Sequence, residues 1–200
     1  IGLARAVKSA KATKLSDELM MKGLFTTITN VNFYNDTVNK LADEINAEKD
    51  KIAKETQNYD VQKIWDDNED VRSLKSLILF GLRGMAAYAY HAFALGFTSD
   101  EVTEFFYEGM FAIGENYGMD KLLPIVLKTG EANYKCMELL DKANTESYGT
   151  PVPTEVPLTI EKGPFIVVSG HDLHDLKLLL EQTKDKGINI YTHSEMLPAH

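Results

Sequence analysis

Four of the five histidines in this 200-residue chain fall within its last thirty-five residues, in two short turns that each follow an apolar run. The first turn, Ser169-Gly170-His171-Asp172-Leu173-His174-Asp175, follows Phe165-Ile166-Val167-Val168. The second, Thr192-His193-Ser194-Glu195-Met196-Leu197-Pro198-Ala199-His200, follows Ile188-Asn189-Ile190-Tyr191. Imidazole and carboxylate groups at the ends of adjacent strands are what a metal site is assembled from. If both runs are strands of one open α/β sheet, their carboxyl ends share an edge, and ligands gather at that edge. His171 and Glu195 are then the side chains placed to hold a cation, with His193 beside them. The competing view makes them ordinary loop groups, with His193 hydrogen-bonded to backbone. His174, one turn into a helix, reads as a solvated surface residue. His91 reads as a satisfied core histidine, and Cys136, beside Met137 in a helix, as a small buried hydrophobe.

The elements that must position these groups are local. Residues 163–200 read as strand, helix and strand: a buried strand at 165–168, a helix over 172–183 stopped by Gly187, and a second strand at 188–191. Such a βαβ unit has parallel strands and a right-handed crossover. Residues 145–162 hold three of the six prolines and read as an extended linker. Residues 1–144 read as a helical bundle domain, so the fold class is mainly α with a C-terminal α/β piece. A first helix ends near Lys14, and Ser16-Asp17-Glu18 caps a second that carries Leu19, Gly23 and Ile28 towards Asn30. A third, from 34 to about 55, places Val38, Leu41, Ile45 and Ile52 on one face and its charged residues on a solvated one. Asn68-Glu69-Asp70 opens the strongest helix, whose stripe is Leu74, Leu77, Ile78, Gly81, Gly84, Met85, Tyr88 and His91, and Gly96 stops it. Gly81 and Gly84, each costing about 1 kcal/mol relative to Ala, suggest a close helix crossing. Thr98-Ser99-Asp100-Glu101 caps a further helix to about 113, and a last one runs from 120 to about 140.

One βαβ unit is too small to be a domain. The opening Ile1-Gly2-Leu3-Ala4-Arg5 reads as a helix already under way. Both ends are therefore expected to be breaks within a longer protein.

Composition narrows the function classes. A net charge of −9 and a pI near 5.0 repel phosphate backbones, which argues against nucleic acid as a partner. No apolar window is long enough for a membrane span. A single cysteine allows no intrachain disulfide, and a cytoplasmic location is expected. Phosphate-binding glycine loops are absent. Ser169, His171 and Asp172 stand too close in sequence to assemble a hydrolytic triad.

Several blocks resemble the hybrid cluster proteins, also called hydroxylamine reductases. They are Phe25-Thr26-Thr27-Ile28-Thr29-Asn30, Asn68-Glu69-Asp70-Val71-Arg72-Ser73-Leu74, Gly81-Leu82-Arg83-Gly84-Met85-Ala86-Ala87-Tyr88, and the Tyr148-Gly149-Thr150-Pro151 linker. Val168-Ser169-Gly170-His171-Asp172-Leu173, Leu180-Glu181-Gln182-Thr183 and the run from Tyr191 to His200 complete the set, and these blocks recur in order over nearly the whole chain. The resemblance implies a helical domain of two three-helix bundles followed by the first βαβ unit of a Rossmann-like parallel sheet. It implies a cubane iron–sulfur cluster and a hybrid iron–sulfur–oxygen cluster in the intact protein. His171 and Glu195 match two protein ligands of the hybrid cluster, and His193 is at most an outer-shell neighbour. The family's other ligands, several cysteines and a second glutamate, are not in this chain, so it is expected to be inactive and without its cluster.

Ser194 departs from the family, which usually has Gly there. The implied reaction reduces hydroxylamine to ammonia and water, with nitric oxide reduction as a recurrent alternative, using electrons from a reduced donor. A different class also fits: a cofactor-free helical interaction or scaffold module derived from that family. The related nickel–iron carbon monoxide dehydrogenases share the architecture, but the carboxylate at Glu195 favours the hybrid cluster. Exposed sheet edges predict self-association of the chain.

Overall fold

A computed structural model of the chain describes residues 1–28 and 33–200; Thr29 and Asn30, expected at the end of the second helix and of one resemblance block, lie outside the described residues. Among the described residues the chain forms eight α-helices and a two-stranded parallel sheet, so it is mainly α with a small α/β piece. None of these helices is long and apolar enough to cross a membrane. The chain divides into two compact units, Ile1–Asn144 and Thr145–His200.

The first unit contains α1 (Gly2–Ser9), α2 (Lys14–Thr26), α3 (Asn35–Ile52), α4 (Lys63–Asp66), α5 (Glu69–Ala94), α6 (Asp100–Gly114) and most of α7 (Met119–Tyr148). Side-chain caps decide where several of them start. The Thr13 hydroxyl accepts from the Ser16 N–H at 3.0 Å, and the Ser16 hydroxyl accepts from the Thr13 N–H at 2.9 Å. This reciprocal capping box starts α2 at Lys14, so Ser16 is its third residue rather than its cap, and α1 has already ended at Ser9. Asn68 caps α5 as expected, accepting from the Val71 N–H at 3.1 Å. Gly96, at φ +87, ends α5 in a Schellman motif: Gly96 N–H donates to Phe93 O and Phe97 N–H to Ala92 O.

One continuous core runs through this unit, built from residues such as Leu3, Leu19, Ile78, Leu82, Met85, Phe106, Ile113, Leu122 and Cys136. The stripe expected on α5 is corrected. Leu77 and Tyr88 are exposed, and the buried set is Val71, Lys75, Ile78, Leu82, Met85, Ala86, Ala89 and Ala92. Alanines let neighbouring helices approach closely, so the core selects the face with small residues among large ones. Leu77, Gly81, Gly84 and Tyr88 instead line a shallow groove beside α7. The crossing expected at the two glycines exists at one. A Cβ on Gly81 would lie 2.6 Å from Thr129 Cγ2, whereas one on Gly84 would meet nothing within 4 Å.

Glu48 and Lys49 of α3 are buried, not solvated, and Val38 is exposed. Glu48 accepts from the Thr13 hydroxyl at 2.7 Å, and Lys49 donates to Asn58 Oδ1 at 3.1 Å. Buried charge is tolerated because it is hydrogen-bonded. Lys75 is likewise buried against Asp67 at 2.7 Å. The helix expected to end near 140 continues to Tyr148, because neither Gly nor Pro occurs between Leu140 and Gly149 (φ +96).

In the second unit, β1 (Phe165–Ser169), α8 (Leu173–Thr183) and β2 (Asn189–His193) form the expected βαβ unit with parallel strands. β1 is not buried: Phe165 is 61% and Val167 58% exposed. One helix and two strands cannot cover both faces of a sheet that is normally packed on each side. Asp185, at φ 61, turns the chain after α8 before Gly187 is reached, and β2 extends to His193 rather than ending at Tyr191.

Candidate metal centre

Ser169 pairs with His193 on the last rung of the two parallel strands, so both strands end level on one edge. The chain then repeats one local sequence of conformations. β1 is followed by Gly170 at φ +140 and then His171; β2 is followed by Ser194 at φ +62 and then Glu195. A positive φ breaks the extended path and turns the next residue out of the strand's alternation. Because the two turns share one register, the residues after them meet. His171 Nδ1 lies 3.5 Å from Glu195 Oε2, with the side chains 65% and 73% exposed.

That separation is close to what one metal ion imposes. Donors each about 2.0–2.2 Å from the ion stand roughly 3 Å apart at a right angle. A shift of a few tenths of an ångström brings the imidazole and carboxylate into such a shell.

The surroundings are held by local hydrogen bonds. The Asp172 carboxylate accepts from the His174 and Asp175 N–H groups at 2.8 and 3.0 Å. It thereby caps α8 and occupies amides that would otherwise face the edge. His174 is exposed, as expected. His193 is not bonded to backbone as a loop residue would be. Its Nδ1 lies 2.9 Å from the Ser169 hydroxyl on the neighbouring strand. His200 Nε2 lies 2.6 Å from the Thr192 hydroxyl. Sequence reasoning passed over Ser169, Thr192 and His200. The signal available for the first was its spacing from His193, which equals that between His171 and Glu195.

His91 and Cys136 belong to the first unit. His91 on α5 sits with its ring 5.6 Å from that of Phe25. Cys136 is fully buried in the first unit, its thiol 3.4 Å from the Met85 carbonyl, and burial pushes its pKa up to about 12. A thiol so hard to ionise is a packing residue. Among the described residues no group of three or more His, Cys, Asp and Glu could hold a metal ion. The edge thus offers one imidazole and one carboxylate, donor types that a metal ion takes, while the chain's single cysteine is a buried neutral thiol and not the thiolate that an iron–sulfur cluster requires.

Comparison with known proteins identifies the family of the chain. The family model described as Prismane/CO dehydrogenase family matches residues 1–200. A hydroxylamine reductase of Solidesulfovibrio magneticus is 45% identical, with all of this chain and 43% of that protein covered. One from Thermodesulfovibrio yellowstonii is 43% identical over 99% of this chain and 41% of its own length. One from Maridesulfovibrio salexigens is 42% identical over 92% and 38%. The chain spans about two fifths of the length of these curated relatives. Matched by the family model from its first residue to its last, and similar to these relatives almost throughout, the chain belongs to the Prismane/CO dehydrogenase family.

Proposed function

We propose that this chain is a segment of an iron–sulfur oxidoreductase and that His171 and Glu195 are two iron ligands of its hybrid iron–sulfur–oxygen cluster. The carrying observation is that two level strand ends, each followed by a positive-φ residue, bring this imidazole and this carboxylate to 3.5 Å. The relatives' name supports hydroxylamine as substrate for the intact protein, with nitric oxide as the alternative. Hydroxylamine takes up two electrons and two protons, its N–O bond breaks, and ammonia and water leave. When bound, the hybrid cluster would supply an open iron for the small nitrogen substrate, and the cubane would supply a store of electrons from a reduced donor. The chain's own part is to present hard nitrogen and oxygen donors at one sheet edge, which would leave an iron short of ligands. His193 lies outside the ligand set. We also infer a cytoplasmic location for the intact protein, a reducing compartment that keeps a free thiol such as Cys136 reduced.

The test uses the intact protein, purified anaerobically. His171→Ala and Glu195→Ala are each expected to abolish the hybrid cluster's paramagnetic signature, keep that of the cubane, and lower hydroxylamine reduction on the order of 100-fold or more. Hybrid cluster content unchanged in both variants would overturn the assignment. The 200-residue chain, which lacks thiolate donors at this edge, is expected to carry no iron or acid-labile sulfide; a stoichiometric cluster would contradict that.

A further inference from the structure

Glu195 is the second residue of a six-residue 3-10 turn, Ser194–Ala199. Such turns have poor hydrogen-bond geometry and seldom persist beyond a few residues, so this one needs outside support to hold a side chain in place. Its own caps give little. His193 makes no side-chain bond to the turn it precedes, and His200 closes it with one backbone bond to Leu197 O at 3.2 Å.

Both flanking imidazoles are used differently. His193, before the turn, is bonded to Ser169 of β1 at 2.9 Å. His200, after it, is bonded to Thr192 of β2 at 2.6 Å. Thr192 and His193 are consecutive strand residues, so their side chains project to opposite faces of the sheet. The turn is thus gripped from both faces, by one bond to the neighbouring strand and one to its own. Met196 is buried, and its methyl packs 3.9 Å from where a Cβ on Gly170 would stand, beside the turn that carries His171.

We propose that Ser169–His193 and Thr192–His200 are positioning pairs that hold the Glu195 carboxylate at chelating distance from His171. The proposal rests on the ligand assignment above. Neither pair touches the reacting atoms; each acts through Glu195. Hydrogen-bonded partners behind a ligand commonly change metal affinity 10–100-fold when removed.

The test compares variants of the intact, cluster-bearing protein. Ser169→Ala with Thr192→Val removes both hydroxyls while keeping size. His193→Asn and His200→Gln keep a hydrogen-bonding atom near the nitrogen each pair uses. The readouts are iron loss to a chelator, the separate paramagnetic signatures of the two clusters, and thermal melting. The expected result for the double variant is hybrid-cluster iron lost 10–100-fold faster, with the cubane signature and melting temperature unchanged. The two conservative variants should stay close to the parent. Chelator resistance equal to the parent in the double variant overturns the positioning role while leaving the ligand assignment intact. A lowered melting temperature with both clusters lost assigns the pairs to general stability and also overturns it. If the double variant does not accumulate, each single variant is read by the same criteria. Should Glu195→Ala retain a normal hybrid cluster, the ligand assignment itself fails, and the positioning role falls with it.

Discussion

Ser194 occupies a left-handed conformation, φ +62, between a strand and a candidate ligand. An L-residue there is strained by about 1–2 kcal/mol. Glycine adopts the conformation freely but loses about 0.5–1 kcal/mol more backbone entropy on folding. Ser194→Gly is therefore expected to raise stability by a few tenths to about 1 kcal/mol, read as a later denaturant midpoint with unchanged slope. A fall in the midpoint would show that the Ser194 side chain compensates its backbone. The same local logic explains why Gly170, at φ +140, precedes the other candidate ligand.

At the scale of elements, the two glycines of α5 separate packing from propensity. Gly81→Ala places a methyl 2.6 Å from Thr129 Cγ2, so either Thr129 gives up the rotamer that bonds its hydroxyl to Ile125 O at 2.8 Å or α5 and α7 shift apart, at a cost of about 1–3 kcal/mol. Gly84→Ala meets nothing within 4 Å and should gain about 0.5–1 kcal/mol from helix propensity. Opposite signs in parallel denaturation curves are the expected result. Helices α2, α3 and α6 are joined by a second device. The Tyr107 hydroxyl donates to Asp17 Oδ1 at 2.7 Å and lies 2.9 Å from Ser16 Oγ, while Ser16 shares the capping box with Thr13, which donates to Glu48. Burial, aided by the Asp17 carboxylate, pushes the Tyr107 pKa well above its ordinary value near 10. The folded state thus holds this proton more tightly than the unfolded chain does. Its stabilising contribution is complete below pH 10 and is lost as pH climbs from there towards the folded-state value, by up to about 1.4 kcal/mol per pH unit. Tyr107→Phe should lack that portion of the alkaline slope in urea melts between pH 9 and pH 11; an identical slope would remove Tyr107 as its source.

For the molecule as a whole, the second unit presents an open sheet. Phe165 and Val167 of β1 are more than half exposed, and among the described residues the sheet has two strands, with no further strand on either outer edge. Apolar strands with free edges recruit further strands, and the simplest source is another copy of the chain. Light scattering over a concentration series is expected to show mass rising above that of one chain, and Phe165→Lys with Val167→Lys should reduce it. A monomer at every concentration would show that these strands do not recruit one another. The net charge of −9 opposes close approach, so raising salt should strengthen the association.

Short-range chemistry made much of this legible in the residues alone. Strand–helix–strand spacing, the caps at Asn68 and Ser99, the stop at Gly96 and the meeting of His171 with Glu195 all depend on neighbours a few positions away or on a parallel register. Which face of α5 is buried, why Glu48 and Lys49 leave solvent, and why β1 stays exposed were decided by what each element packs against. Periodicity specifies that a helix or strand has an apolar face. It does not specify how much partner surface exists to cover that face. The hydroxyl–imidazole pairs that bracket Glu195 belong to the same class: a serine and a histidine in separate strands become partners only once those strands lie side by side.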